Sequence, residues 1–315
     1  MSRVRSLFAA MVLVLLVAAC NGDGNGAAEE LEGLDGAQLT VGSKEFSEQI
    51  ILGQMMVQAL EEAGAQVTDR TSLAGTAVLR ESLDAAEIDM YWEYTGTAWA
   101  DIFGEEEVID DPDELLATVA ERDEEENGIV WGARGDFENT YGIAANQAIV
   151  DEYGVTTLSD LAELSQEDQD AATVCIAEEF ATRADGFIGM QEHYDMNIDE
   201  DNQWLIDEGP IYNETSDAPD SRCNFGMVFT TDGRIGTLDL TVLEDDQAFF
   251  PEYNPAITVR SEIAEEYPEV IELADDIIGR IDFETMGELN LRADEEGIPH
   301  DEVARDWLEE EGFVD

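Results

Sequence analysis

Apolar residues follow two alternating spacings along this chain, one typical of strands and the other of helices. Short runs rich in apolar and β-branched residues precede longer segments in which apolar side chains recur every three or four positions. The first part of the chain predicts strands and helices in turn, at Gln38 to Gly42, Glu45 to Ala63, Gln66 to Thr71, Gly75 to Ala86 and Ile88 to Trp92. This order predicts an α/β fold with crossover helices between the strands of a sheet.

The same alternation restarts after Tyr141. It predicts strands at Tyr141 to Ala145 and Thr173 to Ala177, and helices near Leu158 to Leu164 and Arg183 to Tyr194. The carboxyl end returns to helices, predicted at Glu262 to Tyr267, Val270 to Gly279 and Asp301 to Glu311. The part of the chain that follows residue 37, about 280 residues, is long enough for two modest lobes with separate cores.

The amino-terminal residues have the features of a secretory signal. Arg3 and Arg5 precede the apolar run Leu7 to Ala19, which is too short to span a bilayer with ordinary flanking residues. We therefore expect residues 1–19 to be a signal peptide and the rest of the chain to be exported.

A lipid attachment site is predicted directly after this signal. Val17-Ala18-Ala19-Cys20 resembles a bacterial lipobox, in which the cysteine becomes the acylated first residue, although an ordinary signal with an incidental cysteine is the alternative. The Gly-, Ala- and acid-rich stretch from Asn21 to Gly36 is typical of a flexible tether. We expect residues 20–37 to tether the protein to the outer face of the cytoplasmic membrane.

The charge of the chain restricts its partners and its medium. The 76 acidic residues against 14 Lys and Arg give a formal net charge of −62, which would repel nucleic acid and anionic lipid. Such self-repulsion is tolerated in concentrated salt, where the Debye length is about 3 Å at 1 M. The composition therefore predicts a very saline medium and no nucleic-acid partner, and the acidic runs lack the spacing of a calcium loop.

The sequence offers little chemistry for catalysis. Its only histidines are His193 and His300, and neither accompanies a nucleophile motif, a phosphate loop or a metal-spaced cluster. We expect no catalytic residues, no metal and no cofactor. Cys175 and Cys223 remain after lipidation, and they are either a disulfide or two separate thiols.

One lysine and several aromatic residues predict a binding site instead. Lys44 is the only lysine, and it lies where a predicted strand turns into a helix, whose amino terminus favours anions. Tyr94 ends another predicted strand, Tyr141 begins the second lobe, and Tyr212 and Phe229 lie towards its far end. Rings that meet from two lobes would hold a cation without N–H donors, whereas the alternative is that they belong to the core.

Several motifs in the same order resemble one family, the glycine betaine/choline-binding proteins of osmoprotectant ABC importers. They lie at Gly42 to Gln49, Tyr91 to Thr97, Thr230 to Ile235, Asp245 to Pro251 and Met286 to Asn290. The resemblance covers about residues 38–315. It implies a type II periplasmic-binding-protein fold, in which two lobes close on a quaternary ammonium solute and deliver it to a membrane permease.

The resemblance also implies domain boundaries and site residues. Lobe 1 would comprise residues 38–134 plus 230–315 and lobe 2 residues 135–229, in a protein that acts as a monomer. The aromatic cage would consist of Tyr94, Tyr141, Tyr212 and Phe229, and the carboxylate of the ligand would contact Lys44, Thr97 and Arg183. At position 229 the family often carries tyrosine, and this chain has phenylalanine. Phe229 keeps the ring face, but a hydrogen bond from a tyrosine hydroxyl is not available there.

Two other classes of protein are compatible with parts of this pattern. An acidic cell-surface or adhesion lipoprotein would use the aromatic residues only as core and leave Lys44 without a role. An exported hydrolase would need a nucleophile with a base, which the sequence does not supply. Stabilisation by a small-molecule ligand separates a binding protein from the first alternative.

Overall fold

A computed structural model describes residues 34–105, 108–109 and 111–315. The predicted signal peptide, the lipidation residue Cys20 and most of the tether lie outside these residues. Leu34 and Ala37 are buried in the core of the first lobe, so the last part of the predicted 20–37 tether is packed structure. The apolar side chain of Leu34 provides the reason, because its burial removes hydrocarbon from water.

The described residues form strands and helices in alternation. The strands are β1 (Gln38–Gly42), β2 (Gln66–Arg70), β3 (Met90–Tyr94), β4 (Ile129–Arg134), β5 (Tyr141–Asn146), β6 (Val174–Ile176), β7 (Gln203–Leu205), β8 (Phe225–Phe229), β9 (Leu240–Val242) and β10 (Pro255–Arg260). The helices are α1 (Ser47–Glu62), α2 (Thr76–Asp84), α3 (Thr95–Thr97), α4 (Pro112–Asn127), α5 (Gln147–Tyr153), α6 (Leu158–Glu167), α7 (Glu178–Thr182), α8 (Phe187–His193), α9 (Glu208–Ser216), α10 (Arg234–Thr237), α11 (Ser261–Glu266), α12 (Glu269–Ile278), α13 (Phe283–Asp294) and α14 (His300–Glu311). A π-helical turn at Ala98–Ile102 extends α3, and a 3₁₀ turn at Glu200–Asn202 precedes β7.

Two five-stranded sheets form the cores of two lobes. The first has the order β2-β1-β3-β10-β4, with β1 parallel to β2 and β3, and β10 antiparallel to β3 and β4. The second has the order β7-β6-β8-β5-β9, with β6 parallel to β7 and β8, and β5 antiparallel to β8 and β9. Each sheet therefore mixes parallel strands, which need crossover helices, with strands that return antiparallel.

Helix α1 shows how the apolar pattern produces the core. Ile51, Met55 and Leu60 are fully buried, and they pack with residues of β1, β3 and the carboxyl-terminal helices. Their spacing places them on the inner face of a 3.6-residue helix. The carboxyl-terminal segment thus returns to cover the first sheet.

Helix α4 begins and ends where its sequence dictates. The side chain of Asp111 accepts hydrogen bonds from the backbone N–H groups of Asp113 and Glu114, and Pro112 occupies the first helical position. Gly128 ends the helix with φ +69°, a conformation that suits a residue without a Cβ.

The boundary between the lobes differs from the prediction. Strand β9 pairs with β5, so it belongs to the second sheet, whereas the prediction placed residues 230–315 in lobe 1. The chain crosses between the sheets before β5 and again before β10. Asn139 N donates to Tyr253 O at 3.0 Å, so the two crossing segments, residues 135–140 and 250–254, run side by side as a hinge.

Arg183 lies outside the helix that was predicted to begin with it. The residue has an extended backbone at φ −75° and ψ 149°, between α7 and α8. The turn brings Gly186 so close to α7 that a Cβ there would lie 2.2 Å from the carbonyl oxygen of Phe180. The Arg183 side chain, between α7 and α8, reaches the first lobe, where its Nη2 lies 3.5 Å from the hydroxyl oxygen of Thr97.

A disulfide joins Cys175 of β6 to Cys223, with their Cα atoms 5.6 Å apart. The two cysteines are 48 positions apart in the sequence. The closed loop between them contains α7, Arg183, α8, β7 and α9.

Within the described part of the chain, no helix has both the length and the apolar character that crossing a bilayer requires.

Most basic side chains of the described residues are committed to internal ion pairs. Arg80 and Asp123 form a buried bidentate pair with N–O distances of 2.8 and 2.5 Å, and Trp131 Nε1 donates to the same carboxylate at 2.8 Å. The basic residues therefore join particular elements through ion pairs. The large surplus of carboxylates has no basic side chain to neutralise it.

We expect the melting temperature to increase steeply from dilute buffer to molar NaCl, because ions screen the repulsion among 76 acidic residues. Thermal unfolding by circular dichroism across a salt series measures the effect. Sucrose at matched osmolality is the control, because it is excluded from the protein surface and does not screen charge. A melting temperature that stays constant across the salt series would contradict the saline adaptation.

Candidate functional site

Lys44 lies directly beyond the carboxyl end of β1, next to β3. Its Nζ is 2.7 Å from Glu93 Oε1, and both side chains are buried. Glu93 also accepts hydrogen bonds from the Tyr91 hydroxyl at 2.9 Å and from the Tyr94 backbone N–H at 2.7 Å. The only lysine is thus an internal ion-pair partner, and its Nζ lies 5.3 Å from the centroid of the Tyr94 ring.

Five aromatic rings meet between the lobes. Phe46 and Tyr94 come from the first lobe, Tyr141 and Phe229 from the second, and Tyr253 from a crossing segment. The ring centroids of Phe46 and Phe229 are 5.0 Å apart, those of Tyr141 and Phe229 5.2 Å, and those of Tyr141 and Tyr253 5.7 Å. All five rings line one small cavity of about 30 Å³. A ligand larger than a water molecule therefore requires some of the side chains that line this cavity to move.

Tyr212, which was predicted as a cage residue, does not line this small cavity but does line a larger cleft that adjoins it. It is buried behind β8, where its hydroxyl accepts a hydrogen bond from Phe229 N at 3.0 Å. The Arg234 guanidinium lies 3.9 Å above its ring. Tyr212 therefore supports the strand that carries Phe229, and its ring face is already occupied by a cation.

Arg183 reaches across from the second lobe and is held by carboxylates. Its Nε donates to Asp185 Oδ1 at 2.7 Å and its Nη1 to Glu179 Oε1 at 3.1 Å. Its Nη2 lies 3.5 Å from the hydroxyl oxygen of Thr97 in the first lobe. The Tyr253 hydroxyl donates to Asp185 Oδ2 at 2.7 Å, which ties this cluster to the rings.

The three predicted carboxylate-binding residues therefore lie close together, and two of them are already paired with carboxylates of the protein. Thr97 and Lys44 line the small cavity, and Arg183 contacts Thr97. Lys44 is paired with Glu93 and Arg183 with Asp185, so each cation already has a dedicated counter-charge. A ligand carboxylate would share these cations with carboxylates of the protein.

A larger cleft of about 600 Å³ adjoins the small cavity and is rich in carboxylates. Glu45, Glu179 and Glu208 line both spaces. Burial, together with the nearby charges of Glu179 and Glu45, raises the pKa of Glu208 to about 7. Because several carboxylates line the entrance to the rings, the entrance is negative, which favours a cation.

Phe46 and Tyr253 are the two aromatic rings of the cavity that the sequence analysis did not name as site residues. Phe46 lies only two residues after Lys44 in the same motif, and that proximity was the available signal. Tyr253 follows the Asp245 to Pro251 motif, but its approach to Tyr141 depends on the path of the second crossing segment. Contacts of this kind join residues more than a hundred positions apart, so no local pattern shows them.

Comparison with known proteins decides the family. Residues 37–310 match the family described as the substrate binding domain of ABC-type glycine betaine transport systems. The chain belongs to this family. The predicted resemblance is thereby confirmed, together with a role as the substrate-binding component of an ABC importer. The family is one of extracytoplasmic transport proteins.

Relatives agree with this assignment along most of the chain. A glycine-betaine-binding protein of Pseudomonas aeruginosa is 34% identical over 287 residues, which cover 88% of this chain and 89% of the relative. An ergothioneine transport permease/ergothioneine binding protein of Helicobacter pylori is 32% identical over 278 residues, which cover 87% of this chain and 48% of that longer protein.

A solved structure of the family shares the fold. Apo YehZ from Escherichia coli is 28% identical and superposes with a TM-score of 0.64, covering 88% of this chain and 99% of that one. The predicted α/β fold of two lobes with a cleft between them, typical of type II periplasmic binding proteins, is confirmed.

We expect the affinity for a cationic ligand to decrease as the pH is lowered through the pKa of Glu208, about 7, because the carboxyl group loses its charge. Loss of one nearby charge is worth about 1 kcal/mol, or roughly fivefold in Kd. Stability changes in the other direction: the folded protein binds more protons than the unfolded chain between the ordinary value of 4.5 and about 7, so stability decreases as the pH rises through that range.

Calorimetric titration one pH unit above and below the Glu208 pKa measures this effect. Glu208→Gln should remove most of the pH dependence. Glu214→Gln, which removes a charge from the same helix α9 outside the cleft, should leave it in place. A parent protein with the same Kd at both values would contradict a role for Glu208.

Proposed function

We propose that this protein binds a quaternary ammonium osmoprotectant outside the cytoplasm, with glycine betaine as the first candidate, and delivers it to an ABC permease. The observation that carries the proposal is the set of five rings from both lobes and a crossing segment around one cavity beside a negative cleft. The matched family and the P. aeruginosa relative support the same class of ligand.

The chemistry of the rings fits a trimethylammonium group. Such a group has no N–H donors, so it gains little from carboxylates alone and much from the negative faces of aromatic rings. Its methyl groups also bury apolar area against those faces. The rings of Phe46 and Phe229 now contact each other across the lobes, and a ligand between the lobes would replace that contact.

The carboxylate end of a betaine would lie among Lys44, Thr97 and Arg183. The Thr97 hydroxyl is the one donor of the three that carries no charge, and it lines the small cavity. Because both cations are paired within the protein, we expect the carboxylate of the ligand to contribute less than a free charge clamp would.

The cellular setting that we propose follows from the amino-terminal sequence and the composition. Acylation at Cys20 would anchor a monomer to the outer face of the cytoplasmic membrane, where it would meet its permease. The net charge of −62 suits a saline medium, in which compatible solutes are needed.

Thermal shift in molar salt tests the function. Glycine betaine should stabilise the protein by about 2.7 kcal/mol at a hundredfold excess over Kd, since binding only to the folded state follows RT ln(1 + [L]/Kd). Choline, carnitine, proline betaine, ectoine and ergothioneine complete the panel, and glycine is the control that lacks the methyl groups. The proposal fails if no quaternary ammonium compound shifts the transition.

Removal of one aromatic face should weaken every quaternary ammonium ligand. Tyr141→Leu keeps an apolar side chain but loses the ring, and we expect roughly a thirtyfold increase in Kd, about 2 kcal/mol for a desolvated cation–π contact. Phe283→Leu is the control, because Phe283 is exposed and lies outside the cavity. Equal affinities of the parent and Tyr141→Leu proteins would show that the ring is only core.

The carboxylate subsite is tested by Thr97→Val, which removes a hydroxyl and keeps the shape. Glycine betaine should bind roughly tenfold more weakly, as expected for a hydrogen bond to a charged group, while choline should be unaffected. This substitution leaves the Lys44 and Arg183 ion pairs intact, whereas removal of Arg183 would strand Asp185. Thr118→Val is the control, because Thr118 lies in α4 outside both the small cavity and the cleft and its hydroxyl donates to the carbonyl of Glu114. A parallel loss for both ligands would place the carboxylate elsewhere.

A further inference from the structure

The carboxylate of Glu48 is a buried junction beneath the rings. Glu48 lies in the first turn of α1 and is 2% exposed. Its Oε1 accepts hydrogen bonds from the Tyr94 hydroxyl at 2.7 Å and from Asn139 Nδ2 at 2.9 Å. Its Oε2 accepts from the Thr231 hydroxyl at 2.6 Å and from Asn290 Nδ2 at 3.2 Å. All four of these donors are neutral.

The four donors come from different parts of the molecule. Tyr94 contributes a ring to the cavity, and Asn290 belongs to α13 of the first lobe. Asn139 lies in a crossing segment, and Thr231 follows β8 of the second lobe. One carboxylate therefore contacts the first lobe, the hinge and the second lobe at the same time.

The amides beside Glu48 are oriented by it. Both Asn139 and Asn290 direct their Nδ2 groups to the carboxylate, and their buried Oδ1 atoms have no hydrogen-bond partner among the described residues. A buried acceptor without a partner is unfavourable. The two hydrogen bonds from Nδ2 to Glu48 must therefore stabilise this arrangement by more than the unpaired Oδ1 atoms destabilise it. Burial raises the pKa of Glu48, and the hydrogen bonds oppose that shift.

We propose that Glu48 is a positioning residue that couples the Tyr94 ring to the second lobe. The carboxylate fixes the Tyr94 hydroxyl through one oxygen and engages Thr231 through the other. The lobe orientation that brings Thr231 to Glu48 is thus the one in which Tyr94 is held in the ring set. Ligand binding and the Thr231 contact favour the same arrangement, an inference that rests on the proposed function.

A double-mutant cycle on ligand affinity tests this coupling. Tyr94→Phe removes the hydroxyl and keeps the ring, and Thr231→Val removes the other hydroxyl and keeps the shape. Each change should raise the Kd for glycine betaine by roughly tenfold, because each removes a hydrogen bond to a buried charge. Together they should raise it by less than the product, since either change already breaks the link.

Glu48→Gln should remove the non-additivity, because the shared charge is gone. If that variant does not fold, the cycle with the parent Glu48 remains decisive. The control cycle pairs Tyr94→Phe with Thr237→Val, whose hydroxyl contacts only the carbonyl of Arg234 on α10, and it should be additive. Melting temperatures without ligand are measured in parallel.

The outcomes separate this inference from the proposed function. Failure of the parent protein to bind any quaternary ammonium compound would overturn both. Additive effects of Tyr94→Phe and Thr231→Val in a protein that binds its ligand would overturn the coupling alone. Lower melting temperatures with an unchanged Kd would also overturn it, since a purely structural role predicts that result.

Discussion

The buried ion pair between Lys44 and Glu93 is the interaction on which the cleft depends. It joins the ends of β1 and β3, and the same Glu93 oxygen that binds Lys44 also accepts a hydrogen bond from the backbone of Tyr94. A buried charge is tolerated only with a partner and further hydrogen bonds, so these groups must stay together. The position of Tyr94 is therefore set by electrostatics inside the sheet before any ligand is present.

The same principle governs the opposite wall. Arg183 is satisfied by Asp185 and Glu179, and Tyr253 joins that cluster through its hydroxyl. Both walls thus reach the cleft with their cations already neutralised, and the residual potential comes from acidic side chains such as Glu45 and Glu208. In the function that we propose, selectivity for a positively charged group would arise from unmatched carboxylates and ring faces, and discrimination at the other end of the ligand would depend on neutral donors such as the Thr97 hydroxyl.

The sequence was most informative where local pattern determines structure. Strand β1 has the predicted bounds, α1 differs by one or two residues at each end, and the ordered motifs identify the family. The differences from the prediction arise where contacts between distant segments determine the structure. Strand β9 has only three residues, too few to show a period, and its pairing with β5 is what assigns residues 240–242 to the second lobe. Tyr212 has the right residue type in the right region and lines the larger cleft, but its hydroxyl accepts a hydrogen bond from Phe229 N and its ring does not line the small cavity.

The disulfide between Cys175 and Cys223 makes the stability of one wall of the cleft depend on the compartment in which the protein lies. The segment that it closes carries Glu179, Arg183 and Glu208, so the acidic wall of the second lobe lies within a covalently closed loop. Closing a loop with a sequence separation of 48 removes chain entropy from the unfolded state worth about 4 kcal/mol. A reducing cytoplasm denies the chain that contribution, whereas an oxidising exterior supplies it. The wall therefore gains this stabilisation only in an oxidising compartment, such as the extracytoplasmic side of the membrane on which proteins of this family act.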